Sequence, residues 1–301
     1  MNLIKRLSNR LTKVQWNIGF IDYHSDNFFS SEKVKIKYLK HSYKNKWFAD
    51  PFILDITKDK IILFVEEFDE IINKGRIAKL VVNRQNYRLE SMKIILDLKS
   101  HLSFPVIYRI KNIVFVCPEN SESGGYYKYT YDYNSEKLVN PELIIDEPLT
   151  DAIKYYISDK PYIFSTKQPN SDGNKIYIYC DEFKNDQYRF KQEIILEDNT
   201  ARGAGNFIKL KDKLIRPAQD CNKSYGNGLV FQEIMYDNGL FSVNELKRIY
   251  NKTFKYGLGI HTFNTLGNMA VVDVLGYKHI FWGRIFTAFI KISTSINKYF
   301  N

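Results

Sequence analysis

Four polar residues stand at the heads of apolar runs: Asp50 in Trp47-Phe-Ala-Asp-Pro-Phe52, Asp151 in Leu149-Thr-Asp-Ala152, Arg202 in Ala201-Arg-Gly-Ala-Gly-Asn206 and His261 in Gly259-Ile-His-Thr-Phe-Asn264. Two carboxylates around one sugar are the usual equipment for glycosyl chemistry. One acts as base or nucleophile while the other steadies an oxocarbenium-like centre. Asp50 and Asp151 are the candidate catalytic pair, with the alternative that an Asp ahead of a strand merely caps a turn. His101, just before Ser103 and Pro105, holds the matching place between them, and Trp47 flanks Asp50. The segment Leu214-Ile-Arg-Pro-Ala-Gln-Asp-Cys221, followed by Tyr225-Gly226, adds Arg216, Gln219, Asp220 and Tyr225 as candidate substrate contacts. The planar fork of arginine suits phosphate or carboxylate, so Arg202 with Arg216 could hold an anionic group; the alternative for Arg216 is a structural pair with Asp220. Glu119 and the pair Glu66-Glu67 follow second strands and rank as secondary candidates. Tyr126, Tyr127, Tyr129 and Tyr131 alternate with polar residues and read as sheet core rather than as a sugar platform.

What positions these residues is a repeat. Five segments share one plan of apolar run, short polar turn and second apolar run: Asp50 to Val65, Phe104 to Val116, Asp151 to Phe164, Asn206 to Ile215 and Thr262 to Val272. Each reads as a hairpin. Phe52, Val106, Ile153, Phe207 and Phe263 recur at the period of a four-stranded propeller blade. Second hairpins follow, as in Gly75 to Val82 with Ile94-Ile95. The pattern predicts an all-β fold, a five-bladed β-propeller over 16–280, in which the first strand of each blade lines a central funnel and brings the candidate residues together. A β-sandwich is the alternative. Helical spacing at Leu3, Leu7, Leu11 and Val14, and again at Phe281, Ile285, Phe289, Ile292, Ile296 and Phe300, predicts basic amphipathic helices over 1–15 and 281–301. They could attach peripherally to the inner membrane leaflet or pack their stripes on the propeller.

Composition agrees with a globular β protein. Twenty-two Tyr, 21 Phe and 44% hydrophobic residues supply a core, and 15 Gly with 8 Pro leave few breaks. The net charge of +10 is spread through turns rather than gathered in one arm, and no nucleic-acid-binding motif accompanies it, so nucleic acid is not an expected partner. Cys117, Cys180 and Cys221 are far apart and form no CxxC pair, which predicts reduced, structural thiols and no metal site. A dinucleotide fingerprint and a P-loop are both missing, so no cofactor is expected. Without a signal-peptide core the expected location is cytoplasmic.

Through Ala49-Asp50-Pro51-Phe52 and the later Asp151, the chain resembles the five-bladed arabinanase-like and invertase-like glycoside hydrolases. Over about Trp16 to Val274 it more closely resembles the propeller that precedes the transferase domain in glucosamine inositolphosphorylceramide transferases, and the stand-alone bacterial relatives of that propeller. The segments that carry this likeness are Arg202 to Gly205, Arg216 to Cys221, Tyr225-Gly226 and His261 to Asn264. One departure stands out: where those hydrolases place a proton-donating Glu, about a blade after the second Asp, this chain has Ala201-Arg-Gly-Ala-Gly205. A hydrolase must protonate a poor leaving group, whereas a transferase expelling phosphate needs positive charge more.

The expectation is a glycosyltransferase of bacterial surface-polysaccharide (capsule or O-antigen) assembly that takes a nucleotide-sugar donor, a furanose being one candidate sugar, and a glycan acceptor. Asp50 would activate the acceptor or attack the anomeric carbon, and Asp151 would steady the charged sugar. Arg202, Arg216 and His261 would hold the leaving phosphate. The alternatives are a glycoside hydrolase with Glu119 or Glu67 as the displaced acid, and a noncatalytic carbohydrate-binding propeller.

Overall fold

Near-continuous apolar runs such as Ile61 to Val65 demand burial on both faces of a strand, and stacked sheets provide it. The computed structural model describes residues 10–31, 34–183 and 187–299, the last ten as backbone only. In it the sequence repeat becomes five four-stranded antiparallel sheets. Strands β1 (Val14–Asp22) and β2 (Lys37–Tyr38) come first, joined by the short helix α1 (Ser25–Ser30). Blade 1 is β3 (Lys46–Ile56), β4 (Lys60–Asp69), β5 (Lys74–Asn83) and β6 (Leu89–Leu96); blade 2 is β7 (Ser103–Ile110), β8 (Ile113–Glu119), β9 (Tyr126–Asp132) and β10 (Lys137–Ile145). Blade 3 is β11 (Leu149–Ile157), β12 (Lys160–Lys167), β13 (Lys175–Cys180) and β14 (Arg189–Ile195). Blade 4 is β15 (Ile208–Leu210), β16 (Lys213–Asp220), β17 (Gly228–Asp237) and β18 (Leu240–Ile249). The chain closes with β19 (Phe263–Leu266), β20 (Met269–Tyr277) and helix α2 (Ile280–Tyr299).

Blade 5 is a composite, ordered β19-β20-β1-β2. Val14 to Asp22 pairs in continuous register with Tyr277 to Met269, so the two ends of the propeller share one sheet and no open edge remains at the junction. Five apolar layers fill the five gaps between blades. Phe64, Val116 and Tyr131 lie between blades 1 and 2; Val106, Tyr126 and Ile163 between blades 2 and 3; Phe164, Ile178 and Phe241 between blades 3 and 4. Phe231, Phe263 and Val272 join blades 4 and 5, and Ile18, Phe20 and Leu63 join blades 5 and 1. Of the four tyrosines read as sheet core, Tyr126, Tyr129 and Tyr131 are buried and Tyr127 is half-buried against the layer between blades 1 and 2. The three cysteines are free and buried.

Three inner strands break their register at the same place: between Ala49 and Phe52, between Ser103 and Val106, and between Thr150 and Ile153. Each break is a bulge with a left-handed residue, Asp50 (φ 50°), Phe104 (φ 44°) and Asp151 (φ 46°). A bulge re-aims its side chain, and asparagine-like side chains tolerate that conformation better than most.

The chain ends differ in part from the expectation. Leu3 and Leu7 lie outside the described residues. Arg10 and Leu11 are helical, but Val14 and Gln15 belong to β1 because β20 supplies a pairing edge there. At the other end α2 forms, and Phe281, Ile285 and Phe289 are exposed, turned away from the propeller; the side chains of Ile292, Ile296 and Phe300 lie outside the described ones.

Candidate functional site

The left-handed bulges build the site as a chain of backbone donors. Asp50 donates its N–H to Asp273 Oδ2 at 2.9 Å, and Phe104 donates to Asp50 Oδ2 at 3.1 Å. Asp151 donates to Glu119 Oε2 at 3.3 Å. Each bulge thus anchors an acid from a neighbouring blade through its backbone N–H, while the Phe104 ring itself packs in the core against Phe52.

On one side of the funnel a buried imidazole bridges two carboxylates. His261 Nδ1 lies 2.7 Å from Asp273 Oδ1, and Nε2 lies 3.2 Å from Asp50 Oδ1. Asp273 Oδ1 also accepts the backbone N–H groups of His261 and Thr262. Burial by itself would lower the His261 pKa, but Asp273 and then Asp50 outweigh it and push it up to about 10. Burial pushes Asp50 above the usual carboxylate range against the opposing pull of His261. Asp273 stays below that range, because His261 and the backbone donors overcome its burial. The donor atoms of the three residues lie within 4.8 Å of one another. Both ring nitrogens face carboxylates, an arrangement suited to proton sharing along Asp273, His261 and Asp50.

Next to Asp50, Glu66 Oε1 lies 3.1 Å from His101 Nε2. Burial, with Asp50 nearby, pushes Glu66 up to about 7 against its bond to His101. The N–H of Gly75 donates to His101 Nδ1 at 3.1 Å, which places the ring proton on Nε2, pointing at Glu66. Phe68 stands 6.1 Å from His101, and Trp47 stacks on Phe68 at 4.5 Å, so an aromatic wall continues outward from the acid.

Across the funnel Arg202 gathers three acids. Its Nε donates to Asp151 Oδ2 at 2.6 Å, Nη2 to Glu119 Oε2 at 3.3 Å and Nη1 to Asp172 Oδ1 at 2.7 Å. Gln219 Nε2 donates to the same Asp151 oxygen at 2.8 Å and to Gly203 O. Gly203 makes this approach possible, since a Cβ there would lie 2.5 Å from Asp151 O. Burial and then Asp151 raise Glu119 well above the usual carboxylate range, although Arg202 opposes them. Tyr225 ties the two sides together, with the Arg202 guanidinium 4.8 Å from its ring and His261 5.1 Å away. Trp16 lies under His261 at 4.1 Å.

Asp50, Asp151, Arg202, Gln219, Tyr225, His261, Glu119, His101 and Trp47 therefore sit in or beside one cluster. Arg216 and Asp220 do not join it. Gln219 faces Asp151, and alternation along β16 sends Arg216 and Asp220 to the opposite face. Arg216 is buried against Gln232 Oε1 (2.8 Å) and Ala201 O, with no carboxylate partner among the described residues, and burial lowers its pKa to about 10. Asp220 instead accepts from Tyr250 and Arg248, so the two do not pair with each other either. Arg202 is committed to acids, which removes the free positive charge expected for a leaving phosphate. Glu67 turns to Lys46 and Arg76. Sequence reasoning missed Asp273 and Trp16. The signal for Asp273 was a lone acid inside the apolar run Met269 to Val274; Trp16 gave none, because its place depends on blade closure.

With this geometry in hand, comparison with known proteins decides the family. The family model for the N-terminal region of glucosamine inositolphosphorylceramide transferase 1 matches residues 35–251. The chain belongs to that family. A glucosamine inositolphosphorylceramide transferase 1 from Oryza sativa subsp. japonica is 25% identical over 199 residues, covering 64% of this chain and 27% of the relative. The Arabidopsis thaliana protein of the same name is 24% identical over 202 residues, covering 63% and 26%. The chain thus spans about a quarter of the length of these relatives. Among solved structures it is similar to a β-xylosidase, with TM-score 0.54, 10% identity and coverage of 71% of this chain and 80% of that one. A β-1,3-galactosidase of glycoside hydrolase family 43 gives TM-score 0.51, 8% identity and coverage of 70% and 81%. These structural likenesses concern the fold, and the five-bladed architecture of this family member is the part they share.

Proposed function

We propose that the funnel catalyses glycosyl transfer from a nucleotide-activated sugar to a hydroxyl of a glycan acceptor in bacterial surface-polysaccharide assembly. The observation that carries the chemistry is Asp50, set on a left-handed bulge and backed by the buried His261–Asp273 pair. Each Asp50 oxygen accepts one internal hydrogen bond, which leaves lone pairs for the acceptor hydroxyl. A carboxylate whose pKa is raised by burial is a stronger base than one in water. Asp151 supplies negative charge opposite the developing oxocarbenium-like centre, and Arg202 with Gln219 fixes its orientation. Because Arg202 is engaged by acids and offers the leaving phosphate no free charge, Glu119, pushed up beside Asp151, protonates the departing phosphate oxygen in its place. Arg202 is the holder of these acids. The relatives are named as transferases, which supports transfer.

A second reading is hydrolysis. It is favoured by Glu119, which restores from a neighbouring second strand the third acid missing near Arg202.

The test is mass-spectrometric detection of product when the purified protein meets nucleotide-sugars with glycan acceptors, or oligosaccharides alone. Transfer predicts a nucleotide-dependent product and a loss of about 10²–10⁴-fold in Asp50→Asn. Cleavage of oligosaccharides without nucleotide, lost in Glu119→Gln, selects hydrolysis. Full activity in both variants refutes the acid–base assignment.

A further inference from the structure

Helix α2 carries its large apolar side chains on the side away from the propeller. Phe281 is 72% exposed, Trp282 57%, Ile285 51% and Phe289 72%, and these spacings share one helical face. The inward side makes its contacts through Gly283, Arg284 and Thr287, with Ile280 and Phe286 half-buried beside them. A Cβ at Gly283 would lie 2.4 Å from Tyr277 Cγ, so the helix backbone rests directly on that ring. The Thr287 hydroxyl is 2.7 Å from the Tyr277 hydroxyl, and Arg284 donates to the carbonyls of Thr253 and Phe254. Docking therefore uses none of the aromatic stripe. Phe254, itself exposed, extends the stripe with its ring 6.2 Å from Phe281.

Cations border this surface. Lys252 and Lys255 are exposed on either side of Phe254, Arg284 stacks on the Phe254 ring, and Lys13 and Lys278 share the single acid Glu70. The sequence from Ile280 to Tyr299 contains no Asp or Glu. Aromatic side chains rimmed by lysine and arginine match the boundary between anionic headgroups and acyl chains. A second copy of this chain fits poorly, because a twofold contact would bring the same cations face to face. No described helix is long and apolar enough to cross a membrane, so the contact would be interfacial.

The position of α2 sets an orientation. It follows the end of β20, at the edge of the disk where β3 begins and β4 ends, and Lys278 there bonds Lys44 O and Glu70. Asp50, early in β3, and Glu66, late in β4, belong to the same end of their strands. We propose that α2 and the Phe254 loop seat the protein on an anionic lipid surface with the funnel-bearing face toward the bilayer. This holds whatever chemistry the funnel performs.

The experiment is flotation of the full chain with phosphatidylcholine vesicles, with and without phosphatidylglycerol, at low and high salt. Wild type should float only with phosphatidylglycerol present and be released by salt. The variant Phe281→Ser/Trp282→Ser/Phe289→Ser should bind at least about tenfold more weakly with an unchanged circular-dichroism melt. Lys252→Glu/Lys255→Glu, confined to an exposed loop, should weaken binding in the same direction if the triple variant does not fold. Wild type that stays in solution, binds both vesicle types alike or matches the variants on the vesicles overturns the proposal. So does a dimer, seen by sedimentation without vesicle binding, that the triple variant abolishes.

Discussion

At the scale of the residue, the site depends on how few protons are shared among many acids. His261 is the clearest case, a cation held between Asp50 and Asp273 in a space closed to water. Its pKa of about 10 lies above the ordinary 6.5. A raised folded-state value means that its share of stability is complete below about pH 6.5 and is lost as pH rises through about 10. The melting temperature should therefore fall between neutral pH and pH 10, and His261→Gln should flatten that slope; an unchanged slope by calorimetry would show that the imidazole carries no extra proton. Glu66 at about 7 carries the same sign in a lower window. A carboxyl raised on folding lowers stability as pH climbs from its ordinary value through 7.

At the scale of the element, the inner strands matter more for where they break than for where they pair. The bulges at Asp50, Phe104 and Asp151 occupy equivalent positions in three successive blades, so the site inherits its geometry from the repeat. Blade 4 lacks this bulge and uses glycine instead. Gly203 lets the backbone pass against Asp151 O, and Arg202 then reaches Asp151 and Glu119 together. Adding one methyl group, Gly203→Ala, should cost about 1–3 kcal/mol through overpacking. It should also reduce activity more than an exposed substitution of equal cost in stability, which denaturant titration beside a turnover assay would reveal.

At the scale of the whole molecule, closure joins residues that are more than two hundred positions apart. β1 fills blade 5 and contributes Ile18 and Phe20 to the layer against blade 1. Phe20→Ala removes a fully buried ring that packs against Tyr87 at 4.8 Å in a tilted arrangement. It should cost about 3–5 kcal/mol, measured by the shift in denaturation midpoint, and the closing blade should become the first region to exchange amide hydrogens. A substitution of similar size at exposed Phe190 should cost far less, since its ring lies on the outer strand β14.

The sequence by itself determined the repeat, the β class, the inward-facing positions and most of the cluster, because each of these follows from local periodicity and from polar residues set against an apolar background. Asp50, Asp151, Arg202 and His261 were legible for that reason. Tertiary structure alone decided which polar residues meet. It sent Arg216 and Asp220 to the far face of β16, spent the charge of Arg202 on three acids, and brought Asp273 and Trp16 under His261 through the closing blade. It also turned the stripe of α2 outward. Spacing identifies which residues share a face of one element, but which face is covered depends on contacts between segments distant along the chain, and those contacts exist only once the propeller has closed.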